Sequence, residues 1–132
     1  MRIIKWLESK RGFSWFLTLF SAGLIFYISS LTFNSSYSQI SFLSTLYHFI
    51  AFFFFSFFFL LALVAGKNPS LVYLALIISF LYAISDEVHQ LFVPGRAFSF
   101  YDILIDFLGV GFSTFIYVQN LKKRKIKKNL EY

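Results

Sequence analysis

The sequence lacks cysteine and is poor in charge, with charged side chains at only 14% of its 132 positions. Without cysteine there is no disulfide framework, and the redox state of the compartment cannot be inferred. A soluble domain carries about 25% charged residues, so the scarcity of charge argues against a water-soluble protein. Hydrophobic residues make up 58% of the chain, including 21 Phe, and the mean hydropathy is +0.72. The expected solvent is therefore a lipid bilayer, and one domain is expected at this length.

The net charge of +6 is concentrated at the two ends of the chain. Of the twelve Lys and Arg residues, only Lys67 and Arg96 lie in the interior. Clustered cations can indicate a nucleic-acid partner. Basic tails on an apolar body instead indicate membrane orientation and contact with anionic lipid, so we expect no nucleic-acid partner.

Apolar stretches suited to membrane spans occur four times along the chain. A spanning helix needs about 20 predominantly apolar residues. Turn signals at Gly66 to Ser70 and at Pro94-Gly95 separate the later stretches. The sequence therefore predicts an all-α, integral membrane four-helix bundle as a single domain over 1–132. Its spans are expected at about 13–31, 44–65, 71–90 and 100–118, followed by a basic tail at 119–132.

The basic residues also predict the orientation of the four spans. Both tails are basic, so both termini should be cytoplasmic, and the loop with Lys67 should lie on the same side. In this topology the ionisable and polar residues of the spans all fall in the outer half of the bilayer, and the inner half should hold nothing comparable. The outer set comprises Ser29, His48, Asp86, Glu87, His89, Gln90, Arg96, Asp102 and Asp106.

Helical spacing predicts which faces of the spans meet. Residues three or four apart share a helix face, and small residues allow membrane helices to approach closely. Three stripes of small and polar residues should therefore face the bundle interior, whereas the Phe-rich run of the second span should face lipid. The stripes are Thr18, Ala22 and Ser29; Ser79, Ala83, Asp86 and Gln90; and Asp102, Asp106, Gly109 and Ser113.

Ionisable residues at membrane depth are costly, on the order of 2.5–3.5 kcal/mol each by insertion scales. The carboxylates must therefore pair, share protons or line a wet cavity, and we expect Arg96 to hold one of them. A shared proton would suit acid–base chemistry. Ser99 followed by Asp102 predicts a helix N-cap close to a capping box. Histidines and carboxylates can bind divalent metals, but without an H-E-x-x-H pattern we predict no metal and no cofactor.

Several motifs in chain order resemble those of VanZ-like membrane proteins. The longest runs from Tyr82 to Arg96 and continues with Ser99, Asp102, Asp106 and Gly109. Phe26 to Ser30 resembles the first-span motif of that family, and His48-Phe49 resembles its second-span motif. The chain departs from the family pattern at two places: Leu46 and Tyr47 occupy a stretch that often holds Lys, and Asp106 stands where Asn is common.

The resemblance implies a multi-pass protein of a bacterial plasma membrane, with a link to low-level resistance to the glycopeptide teicoplanin. It also implies action on lipid head groups or lipid-linked envelope intermediates, as a hydrolase or transferase. The expected catalytic residues are Asp86, Glu87, His89, His48 and Asp106, and the expected substrate-binding residues are Arg96, Gln90, Asp102 and Ser29. The alternatives are a non-catalytic, lipid-binding accessory factor and a small transporter subunit, and a homo-oligomer is possible in each case.

Purely structural roles compete with these assignments. The polar residues around Asp86 and Arg96 could form a salt-bridged knot between the third and fourth spans. Asp102 could act only as a helix-start carboxylate favoured by the helix dipole. Ser29 could be a packing hydroxyl that bonds to the helix backbone.

Overall fold

The computed structural model describes residues 2–32 and 42–130, which form five helices. Four of them are long and apolar enough to cross a membrane, and the described ranges contain no strand. This confirms the predicted all-α bundle with four spans. The helices are α1 (Arg2–Ser9), α2 (Arg11–Ser29), α3 (Phe42–Leu63), α4 (Leu71–Gln90) and α5 (Phe100–Leu130).

Two helical segments extend the predicted pattern. The short helix α1 precedes the first span, and α5 continues through the basic tail to Leu130 instead of ending near residue 118. The tail contains no Gly or Pro from residue 119 onward and is rich in Lys and Arg. Both have high helix propensity, so nothing in that segment stops the helix.

Successive helices run in opposite directions, which gives the bundle two chemically different ends. We call the motif end the one where α2 finishes, α3 begins, α4 finishes and α5 begins. The tail end contains α1, the α3–α4 turn and the last turns of α5. In the α3–α4 turn, Ala65 and Gly66 have φ angles of 50° and 65°, and Gly66 takes this left-handed conformation without steric cost. Which end faces the cytoplasm stays a prediction.

Helix α3 lies at the centre of the bundle and contacts all four other helices. Phe52 is fully buried, and Phe55 and Phe59 are 5% and 6% exposed. The expectation that the Phe-rich run faces lipid is therefore wrong for these three residues. A helix with neighbours on several sides is apolar all round, so its sequence carries little directional information. The outer sides of α2, α4 and α5 also carry exposed apolar residues such as Phe16, Tyr73 and Phe115, while Phe54 of the Phe-rich run is exposed on α3.

The predicted interior stripes of α4 and α5 are confirmed. Ser79, Ala83, Asp86 and Gln90 are all buried on α4, and Asp102, Asp106, Gly109 and Ser113 are all buried on α5. On α2, Thr18 and Ser29 are buried, and Ala22 is half-buried. Small and polar side chains thus occupy the helix contacts, as close packing between membrane helices requires.

Candidate functional site

A buried histidine–aspartate pair joins α3 to α5 at the motif end. His48 Nδ1 lies 3.0 Å from Asp106 Oδ1, and the two side chains are 2% and 0% exposed. One turn further along α5, a Cβ atom on Gly109 would lie only 2.5 Å from the Phe49 carbonyl oxygen. The missing side chain of Gly109 therefore permits the close helix approach that brings Asp106 to His48.

Helix α4 adds two buried carboxyl groups and an amide to this pair. Asp86 is 4% exposed and Glu87 is fully buried. The Gln90 side-chain amide donates to Asp86 Oδ2 and to Glu87 Oε1, both at 3.1 Å. One potential ligand atom each from His48, Asp86 and Glu87 lies within 4.8 Å of the other two. In the described part of the chain, these three residues form the one set of three or more His, Asp or Glu side chains with metal-ligand spacing.

The N-terminus of α5 is tied to α4 through a modified capping box. The Asp102 backbone N–H donates to Ser99 Oγ at 3.2 Å, which confirms Ser99 as the N-cap. In the usual box, the acidic side chain at the third helical position would accept the N–H of the cap residue. Here the Ser99 N–H donates instead to Glu87 Oε2 at 2.9 Å. Glu87 thus replaces Asp102 in the reciprocal bond and fixes α5 against α4.

A tight turn returns Arg96 towards the end of α2. Gly95 has φ = 81° and the Arg96 N–H donates to the Val93 carbonyl, as expected for a Pro-Gly type II turn. The half-buried Arg96 side chain donates to the carbonyls of Ile28 (3.0 Å) and Leu31 (3.3 Å). Carbonyl groups at a helix C-terminus accept cationic donors readily, which explains these two bonds. The pairing of Arg96 with a carboxylate stays a prediction.

His89 and Ser29 lie beside this group and have different surroundings. The half-buried His89 ring stacks on Phe26 with centroids 4.4 Å apart, and its Nε2 lies 3.0 Å from Ser30 Oγ. Ser29 is 1% exposed. Its hydroxyl neighbours the Asp86 carboxyl but makes no hydrogen bond of standard geometry to a described residue. Of the two histidines, it is therefore His48 that is paired with a carboxyl group and His89 that faces α2.

Tyr47 is a site residue that the sequence reasoning missed. Its ring packs edge-on against His48 with centroids 5.5 Å apart, and its position places it in the electrostatic field of Asp86 and Arg96. The Tyr47 hydroxyl is buried and has no hydrogen-bond partner among the described residues. The sequence feature that could have identified Tyr47 is its position directly before His48, a histidine within a span. From Tyr47 an apolar groove extends between α2 and α3, lined by residues including Phe20, Leu24, Ile50, Phe54 and Phe58.

The chain matches the VanZ/LLP1 family over residues 13–122. It belongs to the VanZ/LLP1 family. The match includes all nine site residues that the motifs indicated, and it confirms the resemblance. Together with the four apolar helices, it identifies the chain as a multi-pass membrane protein. No curated protein and no solved structure matches the chain.

A second polar cluster lies at the tail end of this VanZ/LLP1 bundle. Tyr117 Oη donates to Glu8 Oε1 at 2.9 Å and accepts the Gly66 N–H at 3.1 Å. Arg124 Nη1 forms an ion pair with Glu8 Oε2. Tyr117 is fully buried and Glu8 is 8% exposed. The expectation that this half of the bundle holds no comparable polar group is therefore wrong, because residues from both tails fold back onto it.

Proposed function

We propose that the motif end binds the phosphate-bearing head group of a membrane lipid or polyprenyl-linked intermediate and hydrolyses or transfers it. The observation that carries this proposal is the convergence of His48, Asp106, Asp86 and Glu87, from three helices, in one buried cluster. Buried ionisable groups in a membrane bundle mark functional sites by default, because each is costly to keep there.

Three residues of the cluster, together with Arg96, have defined tasks in such chemistry. Asp106 holds His48 through Nδ1, which directs the other ring nitrogen away from α5 and allows it to accept or return a proton. Asp86 is the second proton carrier, whereas Gln90 positions both α4 carboxyl groups. Arg96, already at the rim of the site, binds the phosphate through its planar guanidinium group.

The apolar groove beside Tyr47 supports a lipid rather than a soluble substrate. It is lined almost wholly by apolar side chains of α2 and α3 and opens to the bundle exterior, where lipid chains would lie. A lipid could place one hydrocarbon chain along Phe20 and Phe54 while its head group reaches His48. The Tyr47 hydroxyl, which lacks a protein partner among the described residues, would then donate to the head group.

The membrane context completes this proposal. The basic tails support cytoplasmic termini, which would place the motif end at the outer surface of a bacterial plasma membrane. At that surface the protein would meet lipid-linked cell-envelope intermediates. Altered levels of these intermediates would in turn change the response to teicoplanin, as the family resemblance suggests.

A non-catalytic lipid-binding role is the second candidate, and the bonding of Glu87 favours it. Both Glu87 oxygens already accept hydrogen bonds, from Gln90 and from the Ser99 N–H, as expected of a residue whose role is to hold α4 and α5 together. In a binding protein, Arg96 and Tyr47 would matter and the His48 pair would serve only packing. A transporter ranks third, since in the described spans the buried groups between the two ends are hydroxyls such as Ser56 and Ser79.

The test compares lipids in bacteria that carry the wild-type chain, no chain, or single variants, each with and without teicoplanin. Catalysis predicts that His48→Ala and Asp86→Asn reproduce the lipid profile and drug tolerance of the deletion strain. Binding alone predicts that Arg96→Ala does so, while Asp86→Asn, which keeps the size of the side chain and an oxygen that can accept the Gln90 bond, resembles wild type. Tyr117→Phe, at the tail end, serves as a control for general damage. Wild-type lipids and tolerance in His48→Ala and Arg96→Ala alike would refute both roles.

A further inference from the structure

We infer that His48, Asp86 and Glu87 form a binding site for one divalent transition-metal ion, such as Mn²⁺ or Zn²⁺. One potential ligand atom from each residue lies within 4.8 Å of the other two. Ligand atoms on one such ion lie about 2.8–3.6 Å apart, given bond lengths of about 2.0–2.2 Å and octahedral or tetrahedral angles. Small side-chain rotations therefore suffice to close the set. This metal site coincides with the proposed reaction site, and its part in lipid chemistry rests on the proposed function.

Each of the three ligand residues has a hydrogen bond to a further group that fixes its side chain. Asp106 Oδ1 lies 3.0 Å from His48 Nδ1, which leaves Nε2 as the ring nitrogen available to an ion. The Gln90 amide donates to both carboxyl groups, and the Ser99 N–H donates to the second oxygen of Glu87. Metal-binding histidines characteristically have such a carboxylate behind them, and their carboxylate co-ligands are likewise hydrogen-bonded.

Charge gives a second, independent reason for a cation. Asp86, Glu87 and Asp106 are at most 4% exposed, and His48 forms an ion pair with Asp106. Buried carboxylates must be neutralised by protons or by a cation, since bare charges in a low-dielectric interior are prohibitively costly. A divalent ion neutralises Asp86 and Glu87 together.

A buried hydroxyl next to the set points the same way. Ser29 is 1% exposed, neighbours the Asp86 carboxyl, and has no hydrogen bond of standard geometry to a described residue. A metal ion with three protein ligands keeps at least one position for water or substrate. Water on the ion would lie beside the Ser29 hydroxyl and would bond to it in addition to the neighbouring Asp86 carboxyl.

The donor set also limits the kind of ion. One imidazole nitrogen and two carboxylate oxygens suit Mn²⁺, Fe²⁺ and Zn²⁺, whereas Mg²⁺ and Ca²⁺ prefer oxygen ligands throughout. With an ion bound, His48 and Asp86 act as ligands and no longer as proton carriers. The ion then supplies a polarised phosphoryl oxygen and an activated water for head-group hydrolysis.

The experiment measures metal binding to the full chain in detergent, without lipid and without a polyhistidine tag. The protein is stripped with a chelator and titrated with Mn²⁺, followed by electron paramagnetic resonance, and separately with Zn²⁺, followed by elemental analysis after gel filtration. We expect stoichiometric binding by wild type. His48→Ala, Asp86→Asn and Glu87→Gln should each weaken binding at least about tenfold, and Asp106→Asn should weaken it about 10–100-fold as a positioning residue.

His89→Ala is the matched control, since it removes the other histidine of the chain and should bind Mn²⁺ like wild type. Nitrogen modulation in the pulsed resonance spectrum should be present in wild type and in His89→Ala. This comparison between wild type and His89→Ala does not depend on whether the His48, Asp86 and Glu87 variants fold. Absence of binding to wild type, or binding without a nitrogen signal in His89→Ala, would overturn the inference.

The outcome separates the metal site from the proposed lipid chemistry. Lipid turnover by wild-type protein that binds neither ion would overturn the metal site and leave the proposed function standing. Stoichiometric binding through His48, combined with lipids unchanged by deletion of the chain, would support the metal site and contradict the lipid chemistry.

Discussion

The two ends of the bundle both bury polar side chains, but they balance charge differently. At the tail end, one carboxylate meets one guanidinium group, and Tyr117 occupies the second oxygen of Glu8. At the motif end, three buried carboxyl groups surround one imidazole. A balanced pair is neutral in charge without a ligand and acts as a clasp, whereas an excess of carboxyl groups calls for protons, a cation or a substrate. The motif end is therefore the better candidate for chemistry.

The comparison extends to how the two clusters are assembled. The motif-end residues lie within the range that matches the VanZ/LLP1 family. Glu8 precedes that range and Arg124 follows it. The tail-end clasp thus joins segments on either side of the family region and closes the bundle, while the motif end lies wholly inside that region.

Asp106→Asn should give the largest contrast between the two ends. The amide would donate to His48 Nδ1, where the carboxylate accepts, and so would fix the wrong tautomer. We expect lipid turnover in reconstituted membranes to fall by about 100-fold or more, the scale of a lost acid–base group. Tyr117→Phe should leave turnover unchanged. Equal losses in the two variants would show that the ends do not differ in role.

Gly109→Ala should disturb the motif end through packing alone. The added Cβ would lie 2.5 Å from the Phe49 carbonyl oxygen and force α3 and α5 apart. We expect a loss of about 1–3 kcal/mol in the free energy of unfolding in detergent. Gly111→Ala is the matched control, since no atom beyond its chain neighbours and its own helix backbone lies within 4 Å of its Cβ position, and it should stabilise the helix by up to about 1 kcal/mol. Equal effects at both glycines would refute the close approach.

Glu8→Gln should weaken the tail end without affecting turnover. It removes the charge that opposes Arg124 and weakens the bond from Tyr117. We expect a loss of about 1–2 kcal/mol, less than for a fully buried pair because Arg124 is 21% exposed. The double variant with Arg124→Gln should lose less than the sum of the single variants, since they share one interaction. Strict additivity would argue against the clasp.

Tyr82→Phe should have the smallest effect and tests the region between the two ends. The Tyr82 hydroxyl donates to the Ala22 carbonyl at 2.8 Å and links α4 to α2. Such interhelical hydrogen bonds in membranes contribute about 0.6 kcal/mol on average. Thermal unfolding in detergent should show a shift of this size. A loss as large as that of Gly109→Ala would indicate that this middle contact, rather than either end, holds the helices together.

Much of the fold follows from local sequence patterns. Apolar length predicts the four spans, and the three-to-four-residue spacing of small and polar residues predicts which faces of α4 and α5 are buried. Failures occur where these patterns carry no direction. The Phe-rich α3 is apolar all round, so its central position could not be read from periodicity. The extension of α5 was missed because a basic segment lacks the hydrophobicity by which a span is recognised.

The sequence by itself determined the membrane class, the spans and the end of each span at which the motif residues lie, because each depends on short-range spacing along one helix. Only the tertiary structure decided the partners. It paired His48 with Asp106 across 58 positions, directed Arg96 to carbonyls of α2, and joined Glu8 to Arg124 across 116 positions. Such contacts depend on helix rotation and on the close approach at Gly109, which emerge only when all the helices pack together.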